Sequence, residues 1–152
     1  MEVRYIMYKD KPLIINILLA IWQLPQIIIG LIMLLIFRNK TTYTNPYNHI
    51  TVWNINSGRT FGTACFSTGP IIVTCDGASE DTRKHETGHS LSSIKLGWFY
   101  HIIISIPSIC FFWYRKIKKK DMDWYYSCWT EAAAERNSMT DRYKAKMENK
   151  KI

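Results

Sequence analysis

From Leu13 to Phe37 the chain carries no charged residue. An apolar run of that length can cross a bilayer with some tilt. It predicts a transmembrane or membrane-anchor helix over 13–37, bent near Pro25. The run is too long for a cleaved leader, and no small-residue cleavage site precedes Arg38. Its polar members, Asn16, Gln23 and Gln26, are expected to face protein or water rather than lipid. Residues 38–49 are polar, with a turn at Asn45-Pro46. β-Branched and aromatic residues then predict three short strands, at 50–55, 60–67 and 70–75. They are separated by Asn56-Ser57-Gly58 and by Thr68-Gly69, and closed by Asp76-Gly77. A helix follows from about Arg83, capped by Asp81 or Thr82, to Leu96, with Gly97 as its stop. Trp98 to Tyr114 is a second apolar stretch, interrupted by His101 and Pro107. A last helix is expected from Asp123 to beyond Ser138. The pattern therefore divides the chain into a flank at 1–12, an anchor helix at 13–37, a domain at 38–140 and a charged, frayed tail at 141–152. The fold class is α+β and mainly helical, with a small sheet ahead of the 83–96 helix.

Charge adds a location to this outline. The 152 residues are 47% hydrophobic and carry a formal charge of +8. The excess sits in Arg115-Lys116-Ile117-Lys118-Lys119-Lys120 and in the tail. Basic runs beside apolar sequence suit anionic lipid headgroups. No nucleic-acid motif accompanies the charge, so membrane lipid and not nucleic acid is the expected partner. Flanking charges around 13–37 are nearly balanced, and the later basic cluster favours a cytoplasmic catalytic side. Cysteines 65, 75, 110 and 128 form no Cys-x-x-Cys pair and are expected to be reduced.

The candidate chemistry lies in His85-Glu86-Thr87-Gly88-His89. Two histidines four apart on a helix share a face and can hold one zinc ion, with the intervening glutamate placed to take a proton from a metal-bound water. A catalytic zinc needs a third protein ligand. Downstream candidates are His101, Asp121, Asp123, Glu131, Glu135, Asp141 and Glu148. Glu131 is favoured, because it opens Thr130-Glu131-Ala132-Ala133-Ala134-Glu135, whose alanines let a helix approach closely. Gly88, costly within a helix by roughly 1 kcal/mol, makes sense if another backbone comes near. Glu135, one turn after Glu131, is positioned to accept the free ring N–H of a ligand histidine. Tyr125, Tyr126 and His101 are the candidates for stabilising an oxyanion.

The His-Glu-x-x-His motif followed by Glu131 and an acid at 135 resembles the gluzincin, or thermolysin-like, metallopeptidases. That resemblance implies a zincin-like domain, zinc held by His85, His89 and Glu131, Glu86 as general base and Glu135 orienting a histidine. The usual residue at the last position is aspartate. It also implies a peptide or protein substrate paired with a strand, here Ile71, Ile72, Val73 and Thr74. The wider pattern is similar to a group of small bacterial membrane proteins, through Trp22 to Gln26, Ile106-Pro107-Ser108 and Trp129-Thr130-Glu131. The expected function is a membrane-associated zinc metallopeptidase. The alternative is a non-catalytic zinc-binding protein that regulates a membrane partner. Site-2-type intramembrane proteolysis ranks lower, for want of its Asn-Pro…Asp-Gly setting.

One topological expectation follows. If 98–114 crossed the bilayer, Glu131 would lie roughly 30 Å of hydrocarbon away from the histidines. The stretch is therefore expected to be a re-entrant or interfacial hairpin broken at Pro107, with 121–131 returning to the site.

Overall fold

A computed structural model of the chain describes residues 12–37, 39–47, 50–62 and 64–150. Most of the expected flank at 1–12, and the last two residues of the expected tail, lie outside the described residues. Helices α1 (Leu13–Trp22) and α2 (Leu24–Ile36) come first. Strands β1 (Lys40–Thr44), β2 (Thr51–Asn56), β3 (Phe66–Thr68) and β4 (Ile71–Thr74) follow, and then α3 (Glu80–Leu96). A 3-10 turn (Gly97–Phe99) and a π-helical turn (His101–Ser105) lead into α4 (Ile106–Ile117). The chain ends in α5 (Met122–Ser127), α6 (Trp129–Ser138) and α7 (Asp141–Asn149). The fold is thus α+β, with a small mixed sheet ordered β1-β2-β4-β3.

The sheet is the middle of three layers. Side chains alternate across it, as a period of two requires. Val52 and Ile72 pack with Leu91 and Ile94 of α3 on one face. Ile55, Ile71 and Val73 pack with Met33, Leu34 and Phe37 of α2 and its end on the other. β2 and β4 are parallel, whereas β1 and β3 run antiparallel to their neighbours. β1 falls in the segment read only as polar, just ahead of the expected turn at Asn45-Pro46. Its Lys-Thr-Thr-Tyr-Thr sequence is polar because it forms an outer edge, yet its β-branched threonines suit the pleat. The expected strand at 60–67 shrinks to β3 at its C-terminal end, because Thr60 to Gly62 form a turn.

The anchor helix expected over 13–37 with a bend near Pro25 is two helices that meet at 89°, with the break at Gln23, two residues before the proline. Pro25 sits in the first turn of α2, where a missing N–H costs nothing. At 1.5 Å per residue, α2 is only about 20 Å long, and among the described residues no single helix is long and apolar enough to cross a membrane. The break is pinned from outside. Gln23 and Gln26 are fully buried. Ser93 Oγ donates to Gln23 Oε1 at 2.8 Å, Gln26 Nε2 donates to the Gly97 carbonyl, and Thr68 Oγ1 donates to the Gln26 carbonyl. Two indoles complete the latch, Trp22 Nε1 donating to Ile94 O at 3.0 Å and Trp98 Nε1 to Ile21 O at 2.9 Å. Gly97, at φ +50, lies flat under the Trp22 ring, where any Cβ would collide.

The chain reverses a second time after α3. The axes before and after Tyr100 differ by 118°, so the segment after Tyr100 folds back and α4 reaches α5 and α6. The break lies at Tyr100, not at Pro107, which again occupies a first helical turn. The expected last helix is split at Cys128, whose ψ of 143 is extended. The tail expected to fray is instead α7, capped by Thr140 and tied back by Asp141 N donating to Asp81 Oδ1 at 2.7 Å.

Candidate metal centre and its surroundings

α3 begins at Ser79, whose hydroxyl accepts from Thr82 N at 3.1 Å, so neither Asp81 nor Thr82 is the cap. Its buried face is made of small and polar residues, Thr87, Gly88, Ser90, Ser92 and Ser93. Small side chains let neighbouring backbones close in. At Gly88 a Cβ would stand 2.7 Å from the Ala134 carbonyl carbon and 2.9 Å from its Cα. That contact brings the first turn of α6 over the first turns of α3, and Glu131 over His85 and His89.

Glu131 is 1% exposed and uses its two oxygens differently. Oε1 accepts from Ser108 Oγ of α4 and from Thr130 Oγ1 at 3.3 Å. Oε2 faces His85 Nε2 at 3.0 Å and His89 Nε2 at 3.3 Å. Its place in the first turn of α6 also sets the carboxylate in the positive end of the helix dipole. Burial alone would raise its pKa, but the two imidazoles, His89 foremost, hold it far below the usual carboxylate range.

The arrangement fits a metal ion. The three ligand atoms lie within 4.8 Å of one another, and all three residues are buried. Glu135 Oε1 lies 3.3 Å from His85 Nδ1. Arg142 holds the same carboxylate, with Nη2 at 2.9 Å and Nε at 3.0 Å. Both contacts keep Glu135 ionised, against burial. An ionised carboxylate only accepts, so Nδ1 carries the hydrogen and the lone pair of Nε2 points at Glu131 Oε2. Two acceptors facing each other need a cation between them. Without a metal that cation is a proton: burial opposes it, yet the bonds to Glu131 and Glu135 push the His85 pKa up to about 10. Ligand atoms each about 2.0–2.1 Å from a tetrahedral ion stand about 3.3 Å apart. The two His–Glu131 separations, 3.0 and 3.3 Å, are close to that length. The buried His85, His89 and Glu131 group can therefore bind a metal ion.

Glu86 faces the same space without belonging to the ligand set. It is 5% exposed, and Oε2 has no hydrogen-bond partner among the described residues. Burial pushes its pKa up, against the pull of His85 and His89. Both groups line a cavity of about 490 Å³. Tyr125, Tyr126 and His101 line it as well. Tyr125 OH lies 3.1 Å from Ser108 Oγ. The Tyr126 ring packs edge-on against His85 at 5.3 Å and carries the Arg142 guanidinium 3.7 Å above its centre. His101 Nδ1 pairs with Ser105 Oγ at 3.1 Å. The remaining ligand candidates stand apart from the cluster. Asp121 caps α5 through Trp124 N at 2.7 Å, and Asp141 pairs with Lys84 at 3.1 Å.

The strand assigned to substrate needs correction. Ile71, Ile72 and Val73 have β2 on one side and β3 on the other, so their backbone groups are already spoken for. They are buried core. The edge of the sheet at the cavity is β3, where Cys65, Phe66, Ser67 and Thr68 line the wall. Strand order joins segments far apart in the chain, and local pattern does not reveal which strand ends at an edge.

Gln23 and Gln26, expected to face protein or water, do face protein. Two supporting residues escaped the sequence reading. Ser108 lay inside a stretch read for its hydrophobicity. Arg142 lay in the apparent tail, beyond a reversal at Met139 in the left-handed region (φ 50) that no glycine announces. Replacing Arg142 by alanine frees Glu135 and so loosens His85. Removing such an outer partner typically costs 10- to 100-fold in metal affinity, and about that loss is expected for Arg142→Ala in a competitive zinc titration, with helical content unchanged.

Comparison with protein-family models, with curated proteins and with solved structures finds no match to this chain.

Proposed function

We propose that this chain is a membrane-associated, zinc-dependent metallopeptidase of gluzincin type. The observation that carries the reading is the convergence of His85, His89 and Glu131 beside a buried Glu86 oxygen with no hydrogen-bond partner among the described residues. Two imidazole nitrogens and one carboxylate oxygen form a donor set that suits zinc and leaves a fourth position open. Zinc held there supplies a bound water of lowered pKa and an electrophile for the scissile carbonyl. Glu86 would be placed to accept a proton from water held at that position and to return it to the leaving nitrogen. Glu135, anchored by Arg142, fixes the tautomer and aim of His85. Hydroxyls from Ser108 and Thr130 occupy the second oxygen of Glu131, so that Oε2 alone is presented to the ion. Tyr125, Tyr126 and His101 are the available donors toward the developing oxyanion, and β3 is the edge along which an extended peptide can lie. The basic residues after α4 favour a cytoplasmic catalytic side.

The test is peptide-library hydrolysis by the purified full chain, with and without a chelator, beside Glu86→Gln. Hydrolysis is expected to need metal. The variant is expected to keep its zinc and lose about 100- to 10,000-fold in turnover, the range general base catalysis supplies. A zinc-loaded wild type that cleaves nothing would instead support the non-catalytic regulatory role.

A further inference from the structure

In a helix packed on a water-soluble protein, apolar residues face inward and polar ones outward. α2 and α4 depart from that rule on their outer faces. The fully hidden residues of α2 are Gln26 and Gly30, while Leu24, Ile28, Leu31, Ile32 and Leu35 are exposed, the last at 84%. In α4, Ser108 points inward to Glu131, whereas Ile106, Ile109, Cys110, Trp113, Tyr114 and Ile117 are exposed. Their spacing of three and four residues makes one continuous stripe. Trp98 and Phe99 extend the apolar surface to Leu18, Ile21 and Trp22 of α1, with which they line a shared groove. A contiguous patch on this scale marks an interaction surface.

The same stripe rims the catalytic cavity. Ile29 of α2, Ile109 and Trp113 of α4 and Met122 all line it, and all four are exposed to between 38% and 56%. Its floor is His85, Glu86, His89 and Glu131. The entrance is therefore a greasy rim around a polar centre. The charge beside it names the occupant. α4 runs directly into Lys118-Lys119-Lys120, and Lys116 Nζ lies 4.5 Å from the Phe112 ring and 5.1 Å from the Trp113 ring. Aromatic rings with lysines at their edge are the pattern of a headgroup boundary, and the cations are complementary to anionic phospholipid.

We infer that the α2–α4 face lies in the interface of an anionic bilayer without crossing it, and that the cavity opens there to take extended peptide segments presented at the lipid surface. The substrate half of this inference rests on the peptidase reading; the placement of the rim does not. A cleavable segment tethered to lipid reaches the cavity mouth along the membrane plane, so tethering raises its local concentration at β3.

The experiment uses the full chain with vesicles of phosphatidylcholine, with and without phosphatidylglycerol. An environment-sensitive fluorophore is attached to Cys110, the one exposed free thiol among the described residues. Co-sedimentation is expected to be at least tenfold tighter with phosphatidylglycerol, with a blue shift at Cys110. One peptide, offered free or coupled to phosphatidylethanolamine in the vesicles, is expected to be cleaved at least tenfold faster when coupled. Ile106→Asp with Ile117→Asp, both outside the cavity lining, is expected to weaken vesicle binding tenfold and abolish that preference while the free peptide is cleaved at the wild-type rate. An unshifted Cys110 probe on sedimented protein overturns the placement, as does self-association in place of vesicle binding. Equal rates on the two peptides overturn the substrate claim. Cleavage of neither, with zinc bound, overturns the peptidase reading and the substrate claim with it, and leaves the Cys110 shift to decide where the rim lies.

Discussion

Replacing Glu131 by glutamine is expected to strip the protein of zinc while its helices stay folded. The amide fills the same volume, so the α3–α6 packing is undisturbed, and its oxygen can still accept from Ser108 and Thr130. What disappears is the negative charge at the atom that faces both imidazoles. An outer partner of a ligand is worth 10- to 100-fold in affinity. A direct ligand exceeds the top of that range, so a loss beyond about 100-fold is expected, and hydrolysis falls with occupancy. Zinc content after dialysis, measured by atomic emission beside wild type, His85→Ala and Glu135→Ala, checks this, with circular dichroism as the control for folding. The order of loss should be Glu131 and His85 together, then Glu135. Stoichiometric zinc in Glu131→Gln would place the ion elsewhere.

The second large effect is expected from adding one methyl group, Gly88→Ala. In an isolated helix alanine is more favourable than glycine by about 1 kcal/mol. Here the new Cβ meets backbone atoms of Ala134, not a side chain that can turn away. The helices must separate, and such overpacking costs about 1–3 kcal/mol. The two terms leave a modest net loss of stability, a few degrees in Tm for a chain of this size. The site suffers more. His85 and His89 ride on α3 and Glu131 on α6, so separation opens the ligand triangle directly. Metal–ligand distances tolerate only about 0.2 Å. Zinc affinity is therefore expected to fall at least tenfold although no ligand is touched. Differential scanning fluorimetry with calorimetric zinc titration separates the two effects. Wild-type affinity in Gly88→Ala would show that the triangle does not depend on this contact.

The two variants mark what local pattern can and cannot convey. His85 and His89 were legible because their relation is set by helix geometry alone. Glu131 and Glu135 were legible because small alanines between them announce close approach, and the metal cluster formed by His85, His89 and Glu131 rests on both facts. The edge strand was not, because strand order is set by pairing between segments; only the unbroken apolar run Ile71-Ile72-Val73, against the mixed Phe66-Ser67-Thr68, hinted that the former is interior. A bend near Pro25 was legible from the proline, but its 89° size, at Gln23, was not, because it is set by partners in α3 and β3. Leucines and isoleucines on α2 serve two purposes, Met33 and Leu34 covering the sheet and Leu31 and Leu35 facing outward, and hydropathy sums the two. Arg142 was hidden by a turn at Met139 that uses a residue type giving no warning.

The bonds that set the triad share one property: each joins positions far apart in sequence. His85 and Glu131 are separated by 46 residues, His85 and Glu135 by 50, and the latch from Gln26 to Gly97 by 71. A ribosome has finished the helix bearing both histidines well before Glu131, Glu135 and Arg142 exist. Until α6 has been made and docked on α3, the two imidazoles face no carboxylate, so ion capture is a late event that follows long-range assembly and cannot seed it.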